Sequence, residues 1–142
     1  EVVKLPADAP ARPRPSMTSA TLPFWEAARR HELVLQRCAA CRRWRHYPQP
    51  MCPACHSLEL AWERASGRGS IHSYTVSQRA FHPFWKDRVP YVIATIELEE
   101  GVRMVCDMPG LPPEEAAIGL PVEVCFEDVD AELTLARFRV CR

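Results

Sequence analysis

Long hydrophobic runs are missing from the sequence, since no apolar stretch approaches the roughly 20 residues that a helix needs to cross a bilayer. The first residues also lack the basic start and apolar core of a secretory signal peptide. The chain begins with Glu1 and not with Met, so we expect either a trimmed chain or a domain cut from a longer polypeptide. The missing apolar run and the missing signal peptide predict a protein that has no contact with a membrane.

An overall excess of either charge is also missing, because 18 Lys and Arg balance 18 Asp and Glu. The charges are unevenly placed, however. Residues 1–65 carry ten basic and six acidic side chains, a net of +4, whereas residues 66–142 carry eight and twelve, a net of −4. A non-specific nucleic-acid binder usually has a clear basic excess, and the acidic second half argues against that class of function.

The sequence signatures of a catalytic centre are absent. We find no nucleophile–base pair and no HExxH motif, and Ser66-Gly67-Arg68-Gly69 lacks the spacing and the lysine of a phosphate-binding loop. Cys106 and Cys141 are most simply buried or edge thiols, and Cys125 is expected to face outward. We therefore assign no catalytic residue and expect the chain not to be an enzyme on its own.

Four of the seven cysteines form two CxxC pairs, Cys38 with Cys41 and Cys52 with Cys55. An odd number of cysteines in this pattern argues against a secreted disulfide framework and predicts a cytoplasmic protein, whose thiolates bind metal in a reducing environment. Two such turns bring four thiolates into a tetrahedron, which predicts one structural zinc ion per chain. Four ligands leave no open coordination position, so the metal should stabilise the fold and do no chemistry. Iron in the same geometry and a redox dithiol are the alternatives.

Arginines surround the first cysteine pair and allow two interpretations. They are Arg37, Arg42, Arg43 and Arg45. A tetrathiolate zinc centre carries a net charge of −2, which nearby cations offset. The same arginines, together with Arg68, are also candidates for binding phosphates, and we leave both interpretations open. The nearby His46 and His56 are expected to be surface histidines, because the four cysteines already saturate the ion.

The pattern along the chain predicts a mainly β protein in three parts. Residues 1–21 form a proline-rich linker or arm, residues 22–65 a helix (about 22–31) followed by the zinc ribbon, and residues 66–142 a small barrel. Five strands of period two are predicted in the last part. They are Ile71–Val76, Tyr91–Leu98, Arg103–Met108, Val122–Phe126 and Leu133–Val140, with a short helical stretch at Pro113–Ala117.

Aromatic residues mark three candidate contact surfaces. The loop between the first two barrel strands, residues 77–90, holds four rings, at Phe81, His82, Phe84 and Trp85. Tyr91 and Ile93 make the outer face of the next strand unusually apolar, and Phe24 and Trp25 form an apolar stripe on the helix. Such clusters favour binding to a partner or ligand. The alternative is packing within the protein, with the loop as a lid over its own core.

Motifs along nearly the whole chain from Pro23 resemble the zinc-ribbon and OB-fold family associated with acyl-CoA metabolism. In order, they are Pro23-Phe24-Trp25, Cys38-x-x-Cys41, Tyr47-Pro48, Cys52-Pro53-x-Cys55, Trp62, Ser66-Gly67-Arg68-Gly69, Tyr74-Thr75-Val76, Pro90-Tyr91-Val92, Leu98-x-x-Gly101 and Ile118-Gly119-x-Pro121-Val122. Each piece is unspecific, but their combination and order are specific to the family. Phe81-His82-Pro83-Phe84-Trp85 is similar to the subgroup that partners retro-aldolases of steroid side chains.

The resemblance implies a rubredoxin-like zinc ribbon followed by a five-stranded OB-fold barrel. It also implies a non-catalytic partner of a thiolase-fold enzyme, a thiolase or an aldolase that cleaves C–C bonds of CoA thioesters, with the acyl-CoA bound at the interface. Some members are fused behind a hot-dog-fold enoyl-CoA hydratase domain. The expected partner contacts are Phe24, Trp25, Phe81, His82, Phe84, Trp85, Tyr91 and Ile93, and the expected CoA-phosphate contacts are Arg68, Arg43 and Arg45.

Two other functions compete with the accessory role. Zinc ribbons and OB folds are also used to bind nucleic acid, but the barrel half is acidic and lacks interleaved basic and aromatic residues. A free-standing acyl-CoA carrier would need a deep apolar pocket, whereas a small five-stranded barrel is normally filled by its own side chains.

Overall fold

The computed structural model describes residues 11–142, and the part of the predicted arm at residues 1–10 lies outside this range. The elements are one helix, α1 (Leu22–Arg29), and eight strands: β1 (Val34–Cys38), β2 (Trp44–Arg45), β3 (Leu60–Arg64), β4 (Arg68–Ser77), β5 (Tyr91–Leu98), β6 (Arg103–Met108), β7 (Pro121–Asp128) and β8 (Thr134–Val140). Short 3-10 turns cover Pro83–Trp85 and Pro113–Glu115. Within the described range, α1 is too short to cross a membrane.

Helix α1 buries Ala27 and Ala28 and ends two residues earlier than the sequence predicts. His31 adopts a left-handed backbone conformation (φ 59°), and Glu32 N–H donates to the carbonyl of Ala27 at 3.0 Å. This hydrogen bond across the helix end is the Schellman pattern, which usually has glycine at the left-handed position. A histidine there gives no sequence signal for the end of the helix.

Strands β1, β2 and β3 form the zinc ribbon's sheet in the order β2-β1-β3, with both ladders antiparallel. The β1–β3 ladder runs from Val34 opposite Arg64 to Cys38 opposite Leu60. The sequence pattern at Glu32–Arg37 predicts a strand, which corresponds to β1, but it predicts neither β2 nor β3. Strand β2 is only two residues long, and β3 shows no alternation of apolar and polar residues.

The five remaining strands form an antiparallel sheet in the order β6-β5-β4-β7-β8, and all five were predicted from the sequence. The alternation along β5 predicts that Val92, Ala94 and Ile96 face the core, opposite to Tyr91 and Ile93, and all three are fully buried. Gly69 lies so close to β5 that a Cβ atom there would collide with the backbone of Glu97. The structure thus confirms a mainly β fold with a ribbon and a barrel.

The edge strands β6 and β8 come together and curl the sheet into a barrel. Among the described residues no backbone ladder joins them. Arg137 of β8 instead pairs with Asp107 of β6 at 3.3 Å. The barrel therefore has a seam that is closed by side chains.

The ribbon and the barrel share one hydrophobic core. Leu33 and Leu35, at the start of the ribbon, belong to the same buried cluster as Ile71, Ile96 and Phe138 of the barrel. At the helix end, His31 stacks on Phe126 with ring centroids 5.2 Å apart, and its Nε2 is hydrogen-bonded to the carboxylate of Asp128 at 2.9 Å. The division at residues 65 and 66 stays a prediction, and packing across it is continuous.

Candidate metal centre and partner surface

The first cysteine pair forms a tight turn at the end of β1. The backbone N–H of Cys41 donates to the Cys38 sulfur at 3.4 Å, and the N–H of Arg42 donates to the Cys38 carbonyl at 3.0 Å. Arg42 is left-handed, with φ of 65°, a conformation that few residues other than glycine adopt. This turn directs both sulfur atoms to the same side.

The second pair repeats this geometry. The N–H of His56 donates to the Cys52 carbonyl at 2.9 Å, and His56 is left-handed with φ of 63°. Cys52 N–H donates to the Ser57 carbonyl at 2.9 Å, which closes the turn on itself. Equivalent turns in two separate segments are what a rubredoxin-like metal site requires, because each supplies two ligands.

The four sulfur atoms lie within 4.8 Å of one another. Cys38 Sγ is 3.6 Å from Cys55 Sγ, and Cys41 Sγ is 3.7 Å from Cys52 Sγ. A tetrahedron with zinc–sulfur bonds of about 2.3 Å has edges of about 3.8 Å, so the cluster fits the ion. The residues present form one structural zinc site, and the full set of four thiolates leaves no position for a substrate.

The local backbone favours thiolates at this site. Hydrogen bonds from the N–H groups of Cys55 and Ala54 lower the pKa of Cys52 to about 6. The Ser57 N–H acts to lower the pKa of Cys55, but burial and the three neighbouring thiols outweigh it and raise that pKa to about 11. Crowded sulfurs without a cation resist full ionisation, and a divalent cation removes that resistance.

Most of the ribbon arginines bind other groups of the protein. Arg37 and Arg42 both pair with Glu63, at 2.8 Å and 2.6 Å, and the Arg37 guanidinium lies over the Trp44 ring, 4.7 Å from its centroid. Arg45 is buried, and its Nη2 donates to the carbonyl of Gln49 at 3.0 Å. These contacts favour a structural role for the three arginines.

The two candidate phosphate contacts outside this group differ from each other. Arg43 is exposed in the turn before β2, and the residues 11–142 supply it with no ion pair. Arg68, on β4, pairs with Glu99 through its Nε at 3.1 Å, and this hydrogen bond raises the Arg68 pKa. Arg43 therefore has the guanidinium most accessible to a ligand.

The prediction that His46 is a surface histidine is wrong. Its ring packs against Tyr47 and Phe24, with centroids 4.3 Å and 5.7 Å away. Burial lowers its pKa to about 4, so His46 is neutral at physiological pH. This packing was not predictable from local sequence, because the packing partner Phe24 lies in the helix, 22 positions earlier. His56 is exposed, as expected.

The aromatic loop, residues 77–90, is partly folded onto the barrel. His82 caps the 3-10 turn by accepting the N–H of Phe84 on its Nδ1 at 3.1 Å. Trp85 meets Phe84 edge to face at 4.9 Å and stacks on Tyr91 at 6.5 Å. Phe81, by contrast, is 94% exposed. The loop thus has a packed base and one ring that extends into solvent.

The candidate residues of α1 border one end of a groove over the seam. A cavity of about 350 Å³ is lined by Phe24, Trp25 and Tyr47 on one side and by β6 and β8 on the other. The indole Nε1–H of Trp25 is buried here and has no hydrogen-bond partner among the described residues. Tyr47 is 66% exposed and was missed by the sequence analysis as a surface aromatic.

Trp85, Tyr91 and Ile93 border the other end of this groove. They line a second cavity of about 300 Å³, which shares several wall residues with the first. The shared residues are Val105, Cys106, Asp107, Leu135 and Arg137. The structure therefore brings the helix stripe and the outer face of β5 to a common surface, which we call the seam groove.

Val105 is a further apolar residue of the seam groove, and it is 56% exposed. Its position between the buried Met104 and the half-buried Cys106 follows from the alternation along an edge strand. That alternation was readable from the sequence, but the proximity of β6 to α1 was not. The thiol of Cys106 has a pKa raised to about 12 by burial, which argues against nucleophilic chemistry in the groove.

Comparison with known families gives two matches that together cover residues 25–127. Residues 25–61 match the model described as "ChsH2, rubredoxin-like zinc ribbon domain", and residues 62–127 match "ChsH2, C-terminal OB-fold domain". The chain is also similar to a solved structure named "Ltp2-ChsH2(DUF35) aldolase", with a TM-score of 0.81 and 41% identity, over 89% of this chain and 98% of that one.

Three curated relatives are informative. A "Probable enoyl-CoA hydratase alpha subunit" of Thermomonospora curvata is 42% identical over 90% of this chain and 40% of its own length. A "3-oxo-4,17-pregnadiene-20-carboxyl-CoA hydratase alpha subunit" of Mycobacterium tuberculosis is 39% identical over 85% of this chain and 38% of its own length. A "DUF35 domain-containing scaffold protein" of Methanothermobacter thermautotrophicus is 34% identical over 82% of this chain and 88% of its own length. The chain thus spans about two fifths of the hydratase subunits and most of the scaffold protein.

Proposed function

Because the chain belongs to the ChsH2 family of DUF35 zinc-ribbon and OB-fold proteins, we propose that it is a non-catalytic accessory domain of an acyl-CoA enzyme. Its partner in this proposal is a thiolase-fold enzyme that cleaves C–C bonds of CoA thioesters, of the class that shortens steroid side chains. The observation that carries the proposal is the likeness to the aldolase structure, which extends over 98% of the compared chain.

The chemistry of the chain supports an accessory role. Its metal site has four thiolate ligands and so cannot activate a water molecule or polarise a carbonyl group. The inward-facing side chains of β5, Val92, Ala94 and Ile96, are fully buried and occupy the centre of the barrel. Binding energy is therefore available mainly at the surface, and an acyl group would lie between this chain and its partner.

The seam groove and the aromatic loop are the proposed partner surface. It comprises Phe24, Trp25, Phe81, His82, Phe84, Trp85, Tyr91 and Ile93. Phe81 is the strongest candidate for a central contact, because a phenyl ring that is 94% exposed costs solubility and contributes nothing to this fold.

A contact with the phosphates of CoA is proposed for Arg43 first and for Arg68 second. Arg43 is exposed and needs no rearrangement, whereas Arg68 would have to exchange Glu99 for a phosphate. Arg45 does not fit this role, since its guanidinium is buried beside Gln36 and Gln49. The same pairing of ribbon arginines argues against nucleic-acid binding, which needs cations along an open surface.

We also propose that the native protein carries a hydratase domain in the same polypeptide. The support is that this chain spans only about two fifths of the hydratase alpha subunits that it resembles, and 42% identity covers 128 residues of the first of them. Mass spectrometry of the endogenous protein tests this proposal. Peptides of a hot-dog-fold domain on the same polypeptide are expected, and an endogenous protein limited to these 142 residues would contradict it.

The partner proposal is tested by titrating the chain against a purified thiolase-fold aldolase from the same organism. Phe81→Ala is expected to weaken binding by about thirtyfold, the equivalent of a 2 kcal/mol hot spot. The double change Phe84→Ala and Trp85→Ala is expected to abolish binding, while native mass spectrometry still finds one zinc per chain.

Ile118→Ala is the matched control, because Ile118 is 72% exposed but belongs to the segment before β7 and lines neither cavity of the seam groove. Its affinity should equal that of the unmodified chain. Equal affinities for Phe81→Ala and Ile118→Ala would remove the loop from the interface. No binding of the unmodified chain to any thiolase-fold enzyme of the organism would overturn the function itself.

A further inference from the structure

The end of the proline-rich arm contacts the aromatic loop through Arg12. The Arg12 guanidinium lies over the Phe84 ring at 5.1 Å from its centroid, and Arg88 lies over the same ring at 4.2 Å. Arg12 Nη1 is 3.8 Å from the carboxylate of Glu127, and the Arg12 side chain is only 14% exposed. Residue 12 is thus embedded between the loop and strand β7.

A second contact follows two residues later. Arg14 donates to both carboxylate oxygens of Asp130, one of them at 3.5 Å. Asp130 also accepts the backbone N–H groups of Glu132 and Leu133 at 2.8 Å and 3.0 Å, so its position is fixed by the turn before β8. The bond from Arg14 and these N–H groups lower the Asp130 pKa to about 2.

The arm crosses the barrel seam at Pro13, between the two arginine contacts, and at Pro15, directly after them. Pro13 lines the cavity on the loop side of the seam groove, and Pro15 lines the cavity on the helix side. The strands underneath, β6 and β8, are the edges of the sheet. Exposed edges pair readily with other chains, and covering them is one way in which proteins prevent it. Neither proline has an N–H to donate, so the arm covers the edges without joining the sheet.

We propose that residues 12–15 form a strap, which covers the seam and holds the aromatic loop against the barrel. The strap lies between the two cavities of the seam groove, so the partner-facing surface of this chain is composite: arm, loop and helix stripe together. This last step rests on the proposed function, whereas the hold on the loop does not.

Hydrogen–deuterium exchange on the 142-residue chain tests the strap. The amides of Trp85, Lys86 and Arg88 are hydrogen-bonded within the loop, to His82, Pro83 and Trp85 respectively, and report on its opening. In the double variant Arg12→Gln/Arg14→Gln we expect these amides to exchange about fivefold faster than in the unmodified chain. This is the change expected when one cation–π contact, that of Arg12 with Phe84, no longer holds the loop closed. Removal of the same charge at two exposed sites, Arg29→Gln/Arg64→Gln, is the control and should leave the loop unchanged.

Zinc content and the circular dichroism of the sheet verify that both variants are folded. Loop exchange that is equal in the two double variants overturns the strap. Faster exchange together with weaker binding of the thiolase-fold aldolase supports the composite surface. Faster exchange with unchanged affinity retains the strap but overturns the role of the arm and loop in partner binding, and no binding by the unmodified chain overturns the proposed function alone.

Discussion

The zinc ribbon and the barrel reach order by different physical means. In the ribbon, the segment from Cys38 to Cys55 contains a two-residue strand and otherwise turns, and its order depends on four sulfur atoms around one ion. In the barrel, five strands bury a continuous set of apolar side chains. A segment that is too short to bury a core can be ordered by metal coordination, whereas the barrel needs no such aid.

The two means are coupled through β1. Its first half contributes Leu35, which is fully buried in the barrel's core, and its last residue is Cys38, a zinc ligand. One end of this short strand thus belongs to the hydrophobic core, and the other end belongs to the zinc site. We infer that the ribbon depends on the barrel through Leu35, and that the barrel depends only weakly on the zinc.

The largest effect is expected from the loss of one zinc ligand. Cys52→Ser should abolish zinc binding and unfold the ribbon, since structural zinc contributes on the order of 10 kcal/mol to such a module. The barrel amides of β5 should stay protected from hydrogen exchange. Native mass spectrometry gives the zinc content, and exchange measured by peptide separates the two regions.

Cys141→Ser is the control for this change, because Cys141 is exposed and lies outside the sulfur cluster. It should keep one zinc per chain. Loss of protection in β5 on removal of zinc would contradict the distinction between a metal-ordered ribbon and a self-sufficient barrel, because it would show that the two unfold as one cooperative unit.

The second-largest effect tests whether the ribbon depends on the barrel's core through Leu35. Leu35→Ala and Ile96→Ala each remove a fully buried side chain, and each should lower the free energy of unfolding by about 2–5 kcal/mol. Only Leu35→Ala should also weaken zinc binding, because it disturbs the strand that holds Cys38. Urea denaturation and competition with a chromophoric chelator measure the two quantities, and equal zinc affinities would show that β1 transmits nothing.

The smallest effect concerns pH and the half-buried ring of His46. Burial lowers the His46 pKa from 6.5 to about 4, so the unfolded chain takes up the proton at a higher pH than the folded chain does. The folded state therefore loses stability as the pH falls from 6.5 toward 4. Between about pH 7.5 and about pH 5.5, this group should account for a loss of about 1.4 kcal/mol.

His46→Phe isolates this contribution, since it keeps an aromatic ring between Phe24 and Tyr47 but removes the titrating group. The variant should lose less stability than the unmodified chain over the same pH interval, as measured by urea denaturation at both ends. Parallel losses in the two proteins would mean that His46 does not titrate in this range.

Much of this architecture was predictable because its signals are local. The CxxC spacing predicted the sulfur cluster, and the bounds predicted for β5 and β6 agree with the structure at both ends. The alternation of Val92, Ala94 and Ile96 with outward residues is enough to locate one buried face. Local patterns therefore predicted the barrel strands and the metal ligands.

The contacts of the arm and of His46 were not predictable, because they join residues that are distant in the sequence. The proline pattern predicts a linker or arm, but nothing in the sequence around Arg12 indicates Phe84 or Glu127 as its neighbours. For the same reason the aromatic loop, the helix stripe and β5 were identified separately. Only the path of the chain shows that they border one groove.

The placement of the tryptophans gives the protein a set of built-in optical reporters. Trp25 lies on the helix beside the seam groove, Trp44 and Trp62 lie in the ribbon, and Trp85 lies at the base of the aromatic loop, whereas strands β4 to β8 contain none. Emission excited selectively at indole will therefore follow zinc release, arm movement and partner docking. It will follow melting of the barrel only through the rings that pack against it, such as Trp85 on Tyr91 and Trp44 on the shared core. Single replacement of each tryptophan by phenylalanine would assign every part of that emission to one of three places.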